Sequence, residues 1–205
     1  MEIERLSIDS LLSKADEFFM GNGPIQKTMR AFARRLSEAG IDYALAGGMA
    51  MMLHGYRRET IDVDFLLTQE GRDRLEEKLL GLGYAPAFPG ARKSFRDTST
   101  RVEIDLILTG EYPGDGKPKP VSFPNPTQSS VEIDGLRILS LEKLIELKLA
   151  SGMTAPNRLR DLADVQELIK VKQLNADFAA LLNPYVREKY LELWSAVRSA
   201  PESAE

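Results

Sequence analysis

A chain of 205 residues, 43% of them hydrophobic and 28% charged, has the apolar content to bury a core as one domain, or as one domain with a small appendage. Its net charge of -4, from 27 Lys plus Arg against 31 Asp plus Glu, argues against coating nucleic acid by bulk charge but leaves room for a local basic patch. The absence of cysteine excludes a disulfide scaffold, a thiolate zinc site and a cysteine nucleophile. A single histidine, His54, excludes a multi-histidine metal centre and argues against a serine–histidine triad. Chemistry therefore falls to carboxylates, lysine, arginine and hydroxyls. No segment reaches the roughly 18 consecutive apolar residues of a membrane helix. The acidic start, MEIERLSIDSLL, lacks the cationic-then-apolar pattern of a secretory signal. The expectation is a cytoplasmic protein with no membrane partner, and no internal repeat is evident.

The first forty residues read as two helices packed on a core. Leu11, Leu12, Phe18 and Phe19 follow Asp9 and Ser10, with Gly21 and Gly23 as a stop. Pro24 then opens a second helix that runs through Leu36 and ends near Gly40. Its cluster Lys27, Arg30, Arg34 and Arg35 reads as a solvated face, with an RNA-contacting ridge as the alternative. Tyr43–Ala46 predicts a short strand, Gly47-Gly48 a tight turn, and Met49–Leu53 a short apolar helix whose methionines fill the core. Ile61–Leu67 predicts a strand, and Gln69–Leu80 a helix stopped by Gly81 and Gly83. Strands are expected over Lys93–Arg96 and Arg101–Leu108. Such alternation indicates an α/β or α+β sheet layer.

Residues 110–130 differ in kind, holding five of the eleven prolines and glycines at 110, 114 and 116. A loop of about twenty residues is uncommon in a compact domain and is usually functional or disordered. The stretch VEIDGLRIL reads as a hairpin turning at Asp134-Gly135. From Ser140 the pattern is helical, with breaks at Gly152–Pro156 and at Pro184. Residues 136–205 carry ten basic and ten acidic side chains, so the net charge lies wholly in the first part. The expected organisation is N-terminal helices over 1–40, an α/β core over 41–139 and a helical part over 140–205.

The chemistry concentrates in residues 45–68, LAGGMAMMLHGYRRETIDVDFLLT. Asp62 and Asp64 alternate with apolar residues on a strand, so both carboxylates share a face about 7 Å apart. At that distance and an effective dielectric near 20 they repel by roughly 2.4 kcal/mol. A cation between them relieves that repulsion, and hard oxygen ligands suit magnesium or manganese. In Arg101–Leu108 the apolar residues Val102, Ile104, Leu106 and Leu108 share one face, and Glu103 and Asp105 the other. If the two strands are neighbours, Asp105 completes a set of three acids of the kind a two-metal phosphoryl transfer needs. Gly47-Gly48 permits close backbone approach to a phosphate.

This pattern resembles the DNA polymerase β-like nucleotidyltransferase superfamily. Its signature is a hydrophobic residue, two glycines or glycine–serine, a spacer, and aspartate–hydrophobic–aspartate. Here Ala46-Gly47-Gly48 is followed by positions 49–61, a spacer at the long end of the family's range, and then Asp62-Val63-Asp64. The segment Arg58–Asp64 resembles the AbiEii-like toxins and neighbouring bacterial nucleotidyltransferases, with lincosamide and aminoglycoside nucleotidyltransferases showing a similar run. Leu141–Ala150 and the arginine–aspartate stretch Arg158–Val165 are also similar to AbiEii-like proteins. The resemblance implies a nucleotidyltransferase-type mixed sheet flanked by helices. It implies Asp62, Asp64 and Asp105 as catalytic and metal ligands for Mg2+ or Mn2+, and Gly47 and Gly48 as the triphosphate turn.

Lys148 falls in the middle of the apolar stripe Leu141, Leu144, Ile145 and Leu149, so its ammonium needs an acid, a phosphate or water. It either pairs with Asp161 or reaches the nucleotide or the metal carboxylates. Asp161 and Asp164, three apart on one helix face, read as ion-pair partners of Arg158 or Arg160, with support of the site as the alternative. Arg58 and Thr60 either fix their loop or touch phosphate. His54, just before Gly55, suits the negative end of a helix dipole. The expected activity is metal-dependent transfer of a nucleotidyl group from an NTP to RNA or protein, with an antitoxin as a further partner. A small-molecule acceptor of the antibiotic kind, or a silent binding module of the same fold, are the alternatives.

Overall fold

A computed structural model describes residues 23–199; the helix expected around Leu11–Phe19 lies outside them. Helix α1 (Pro24–Glu38) opens on a proline, whose missing N–H costs nothing in a first turn. It buries Met29, Phe32, Ala33 and Leu36 and leaves Lys27, Arg30, Arg34 and Arg35 exposed, as both readings of that cluster require. The chain then runs through β1 (Tyr43–Leu45), α2 (Gly47–Leu53), β2 (Asp62–Leu67) and α3 (Gln69–Leu79). Thr68 caps α3 by accepting from Gly71 N at 2.9 Å. Next come β3 (Tyr84–Pro86), β4 (Ser94–Asp97), β5 (Glu103–Leu108), β6 (Ser130–Ile133) and β7 (Leu136–Leu139). Helices α4 (Leu141–Thr154), α5 (Leu159–Val171) and α6 (Pro184–Ser199) follow, with 3-10 turns at Pro156–Arg158 and Ala176–Leu181.

The seven strands form one mixed sheet in the order β3-β4-β5-β2-β1-β7-β6. The pairs β2–β5 and β1–β7 are parallel and the remaining neighbours antiparallel. Alternation decides which face of β2 is dry. Val63 and Phe65 are fully buried, Phe65 meets Phe32 of α1 edge-on at 5.0 Å, and Asp62 and Asp64 point to the opposite face. The β6–β7 hairpin turns at Asp134 and Gly135, both with positive φ (51° and 73°), the conformation a two-residue turn of this hand requires. One hydrophobic cluster runs from Met29 through the sheet to Leu193. The architecture is thus an α/β mixed sheet flanked by helices with a helical C-terminal part.

Several local expectations are corrected. Gly47 and Gly48 do not precede α2 but form its first two residues. The short strand β3 was not foreseen; its three residues give too brief an alternation. Residues 110–126, though irregular, are tied by specific bonds: Gly110 N donates to Phe123 O, Phe123 N donates to Glu111 O (both 2.8 Å), and Thr109 Oγ1 donates to Pro124 O (3.0 Å). Val121 is buried beneath them. Prolines suit such a segment because each removes one donor that an irregular backbone would otherwise have to satisfy. The C-terminal helices break additionally at Gln173–Asn175, a turn held by Trp194 Nε1 on Leu174 O and Tyr190 OH on Asn175 O.

Candidate active site

The parallel register of β2 and β5 sets Asp64 directly opposite Asp105 and Asp62 opposite Glu103. The sequence pattern favours Asp105 as the third acid, with Glu103 on the same strand face as its competitor. Arg96, the antiparallel partner of Glu103 on β4, takes the Glu103 carboxylate at 2.6 Å near solvent, whereas Asp105 faces a cleft with Asp62 and Asp64. The cleft is about 440 Å³ and is also lined by Gly47, Gly48, Arg58, Thr60, Lys148 and Asp161. Every site residue expected from the sequence therefore borders one cavity.

The two glycines are dictated by the acids beside them. Gly47 has φ +55°, and a Cβ there would lie 1.7 Å from Asp64 Oδ2. A Cβ on Gly48 would lie 2.7 Å from Thr60 Cβ. Both positions must be bare for Asp64 and Thr60 to occupy the cleft floor, a reason separate from any phosphate contact. Thr60 Oγ1 in turn donates to Asp62 Oδ1 at 2.5 Å. Ser94 Oγ donates to Asp105 Oδ1. The Asp64 carboxylate receives no hydrogen bond from any described residue, although its backbone carbonyl accepts from Ala46 N at 3.0 Å. Burial, then the charges of Asp62 and Asp105, raise its pKa from 3.8 to about 7, with Lys148 and Arg158 pulling weakly the other way.

The opposite wall is built differently. Lys148, 8% exposed on α4, donates to Asp161 Oδ1 at 2.8 Å and to Asp164 Oδ2 at 2.6 Å. Arg58 Nη1 donates to the same Asp164 oxygen at 2.8 Å, joining the segment before β2 to α5. Ser151 Oγ completes the network on Asp161 Oδ2 at 2.7 Å. Burial alone would raise the Asp161 carboxyl, but Lys148, Ser151 and Arg158 outweigh it and hold it below its usual value. The pair of Lys148 with Asp161, one of the two readings of that lysine, is present, while the expected pairing of Asp161 and Asp164 with Arg158 or Arg160 gives way to Lys148 and Arg58. The Arg58–Asp164 contact spans 106 residues, beyond the reach of local spacing.

His54 also departs from expectation. It ends α2, but its ring is buried and Nε2 lies 2.8 Å from Leu139 O, so Nε2 must carry the proton. Burial lowers its pKa, against the upward pull of that bond, and the neutral ring ties α2 to the end of β7. Residues not singled out beforehand also face the cleft, notably Glu111, Tyr112 and Ser151. Among the described residues no three acidic or imidazole side chains form a ready-made metal cage. The uncompensated oxygen donors nonetheless fit Mg2+, which typically takes one or two carboxylates and completes its shell with water and substrate phosphates.

The model of the AbiEii nucleotidyl transferase toxin of type IV toxin–antitoxin systems matches residues 30–203. The chain belongs to this AbiEii family. It is a nucleotidyltransferase of the DNA polymerase β-like superfamily. Among solved structures, the solution structure of the antibiotic-resistance factor ANT(2″)-Ia shares 16% identity over 85% of this chain and 99% of that one, with a TM-score of 0.51. The crystal structure of ANT(2″)-Ia with adenylyl-2″-tobramycin gives 18%, 84%, 98% and 0.50. A Helicobacter pylori protein designated a nucleotidyltransferase gives 20%, 94%, 95% and 0.48. Comparison with curated protein sequences finds no match. No helix among the described residues is long and apolar enough to cross a membrane.

Proposed function

We propose that this AbiEii-family protein transfers a nucleotidyl group from an NTP to an RNA or protein acceptor, and that it acts as the toxin of a pair with an antitoxin partner. The observation that carries the reading is the alignment of Asp64 and Asp105 on parallel neighbouring strands, with Asp62 one alternation away and, among the described residues, no cation paired with any of the three. Asp62, Asp64 and Asp105 are the residues that would hold Mg2+ or Mn2+. Bound there, the ion would offset charge on the triphosphate and the transferred phosphoryl group.

The chain's own residues do the rest. Gly47 and Gly48 make room for Asp64 and Thr60 at the cleft floor and border the cleft with backbone that the triphosphate would meet. Lys148 and Arg58 place positive charge on the opposite wall, and Arg158 adds another cation at the rim. Thr60 holds Asp62, and Asp161 holds Lys148. Asp105 is placed to orient the acceptor hydroxyl or phosphate for in-line attack on the α-phosphorus, with pyrophosphate leaving. A second reading, a small-molecule acceptor, draws on the fold shared with ANT(2″)-Ia.

The test incubates the protein with Mg2+ or Mn2+ and each α-labelled NTP, offering mixed tRNA and cell protein, beside Asp64→Ala. Label entering one acceptor fraction, and lost at least about a hundredfold with the substitution, is the expected result. NTP binding without label in either fraction points to the small-molecule acceptor. Absence of both binding and transfer sinks the enzymatic reading.

A further inference from the structure

We infer that Ser94 is a positioning residue for the third acid, setting the orientation of the Asp105 carboxylate; the inference rests on Asp105 acting in nucleotidyl transfer. Ser94 opens β4 and pairs with Asp105 across the antiparallel ladder, while Asp64 pairs with Asp105 across the parallel one. The three residues form a single row across β4, β5 and β2, at steps of about 4.8 Å, with their side chains on one face. Ser94 lies on the side of Asp105 away from Asp64, and its Oγ donates to Asp105 Oδ1. No described residue bonds Oδ2.

The last torsion of an aspartate is broad and roughly two-fold, so packing alone leaves the carboxylate free to turn. Repulsion from Asp64 would turn it away from the cleft. A hydroxyl on Oδ1 opposes that rotation and leaves Oδ2 uncommitted. Thr60 does the same for Asp62, two residues before Asp64 on β2. Asp62 and Asp105 are thus each held by one hydroxyl, and the Asp64 carboxylate takes none from the described residues. The neighbouring rung shows the alternative: Arg96 opposite Glu103 neutralises its carboxylate and draws it into a surface pair. A neutral hydroxyl at position 94 fixes direction without supplying a counter-charge that would compete with a cation.

The test compares Ser94→Ala and Ser94→Thr with the native protein, using the acceptor that the labelled assay identifies. Ser94→Ala should lower kcat about tenfold, in the range typical for groups that orient a ligand. KM for the NTP should stay within about twofold, because the glycine turn and Lys148 are untouched. Ser94→Thr, which keeps the hydroxyl and suits a strand, should recover most of kcat, and both variants should melt close to native. Unchanged kcat in Ser94→Ala, or a loss that threonine does not repair, overturns the inference. A crystal structure of Ser94→Ala decides it independently of turnover: a rotated or disordered Asp105 carboxylate supports positioning, and one left in place refutes it. Full activity in Asp105→Asn would instead remove the assigned role of Asp105, and that of Ser94 with it.

Discussion

On the sheet wall of the cleft, Asp62 and Asp105 each take a hydroxyl and the Asp64 carboxylate takes no partner among the described residues; on the helical wall, Asp161 and Asp164 hold Lys148 and Arg58. The same side-chain type is treated in opposite ways within one cavity. On the helical wall each carboxylate meets a cation, and Asp161 ionises more readily than usual. On the sheet wall like charges face one another, and Asp64 resists ionising until about pH 7. The contrast supports the proposal that one wall serves the stability of the fold and the other a charge that arrives from outside. The boundary passes through Lys148, whose field still reaches Asp64.

Breaking the compensated wall should have the largest effect on stability. Lys148→Met leaves Asp161 and Asp164 buried without their ammonium and should cost about 3–5 kcal/mol, as removal of one partner from a buried ion pair does. Thermal or denaturant unfolding measures this; a loss under about 1 kcal/mol would mean that Lys148 is not structural and serves the nucleotide alone. Gly47→Ala sharpens the comparison from the other wall. With φ at +55° and a Cβ 1.7 Å from Asp64 Oδ2, alanine must displace the acid, at about 1–3 kcal/mol of strain. Transfer should fall about a hundredfold through misplacement of Asp64. Gly47→Ala with native turnover would show that the close packing of Gly47 and Asp64 is dispensable.

Much of the bare wall was legible in the sequence, because a strand's period of two and the apolar neighbours of Asp62 and Asp64 depend only on local spacing. Lys148 was likewise visible as a charge inside an apolar stripe. The pairing that draws Glu103 away from Asp105 was not, since it depends on register with β2 and on Arg96 arriving from β4. The pair of Lys148 with Asp161 was within reach of local reasoning, but the tie of Arg58 to Asp164 was hidden for the same reason: the two meet across 106 residues. His54 looked like a dipole cap because its local context fits one, yet its bond is to Leu139, 85 residues away. Gly47-Gly48 read as a phosphate turn, and the sequence held no sign that Asp64 and Thr60 occupy the space where Cβ atoms would stand.

The central claim is that the three acids await a cation, and the most direct measurement is the melting of the native protein beside Asp64→Asn, with EDTA and then with Mg2+ plus a non-hydrolysable NTP. Because Asp64 titrates at about 7 when folded against 3.8 ordinarily, its ionisation opposes folding. That cost is absent below about pH 4, grows up to about pH 7 and is constant above it. In EDTA, Asp64→Asn should therefore melt higher than native at about pH 8, with the gap narrowing towards pH 5. Adding Mg2+ and the nucleotide at pH 8 should raise the native protein by several degrees, following a binding contribution of about 2.7 kcal/mol at a hundredfold excess over Kd, and should leave Asp64→Asn nearly unmoved. Equal shifts in both proteins, or none in the native chain, would contradict the account.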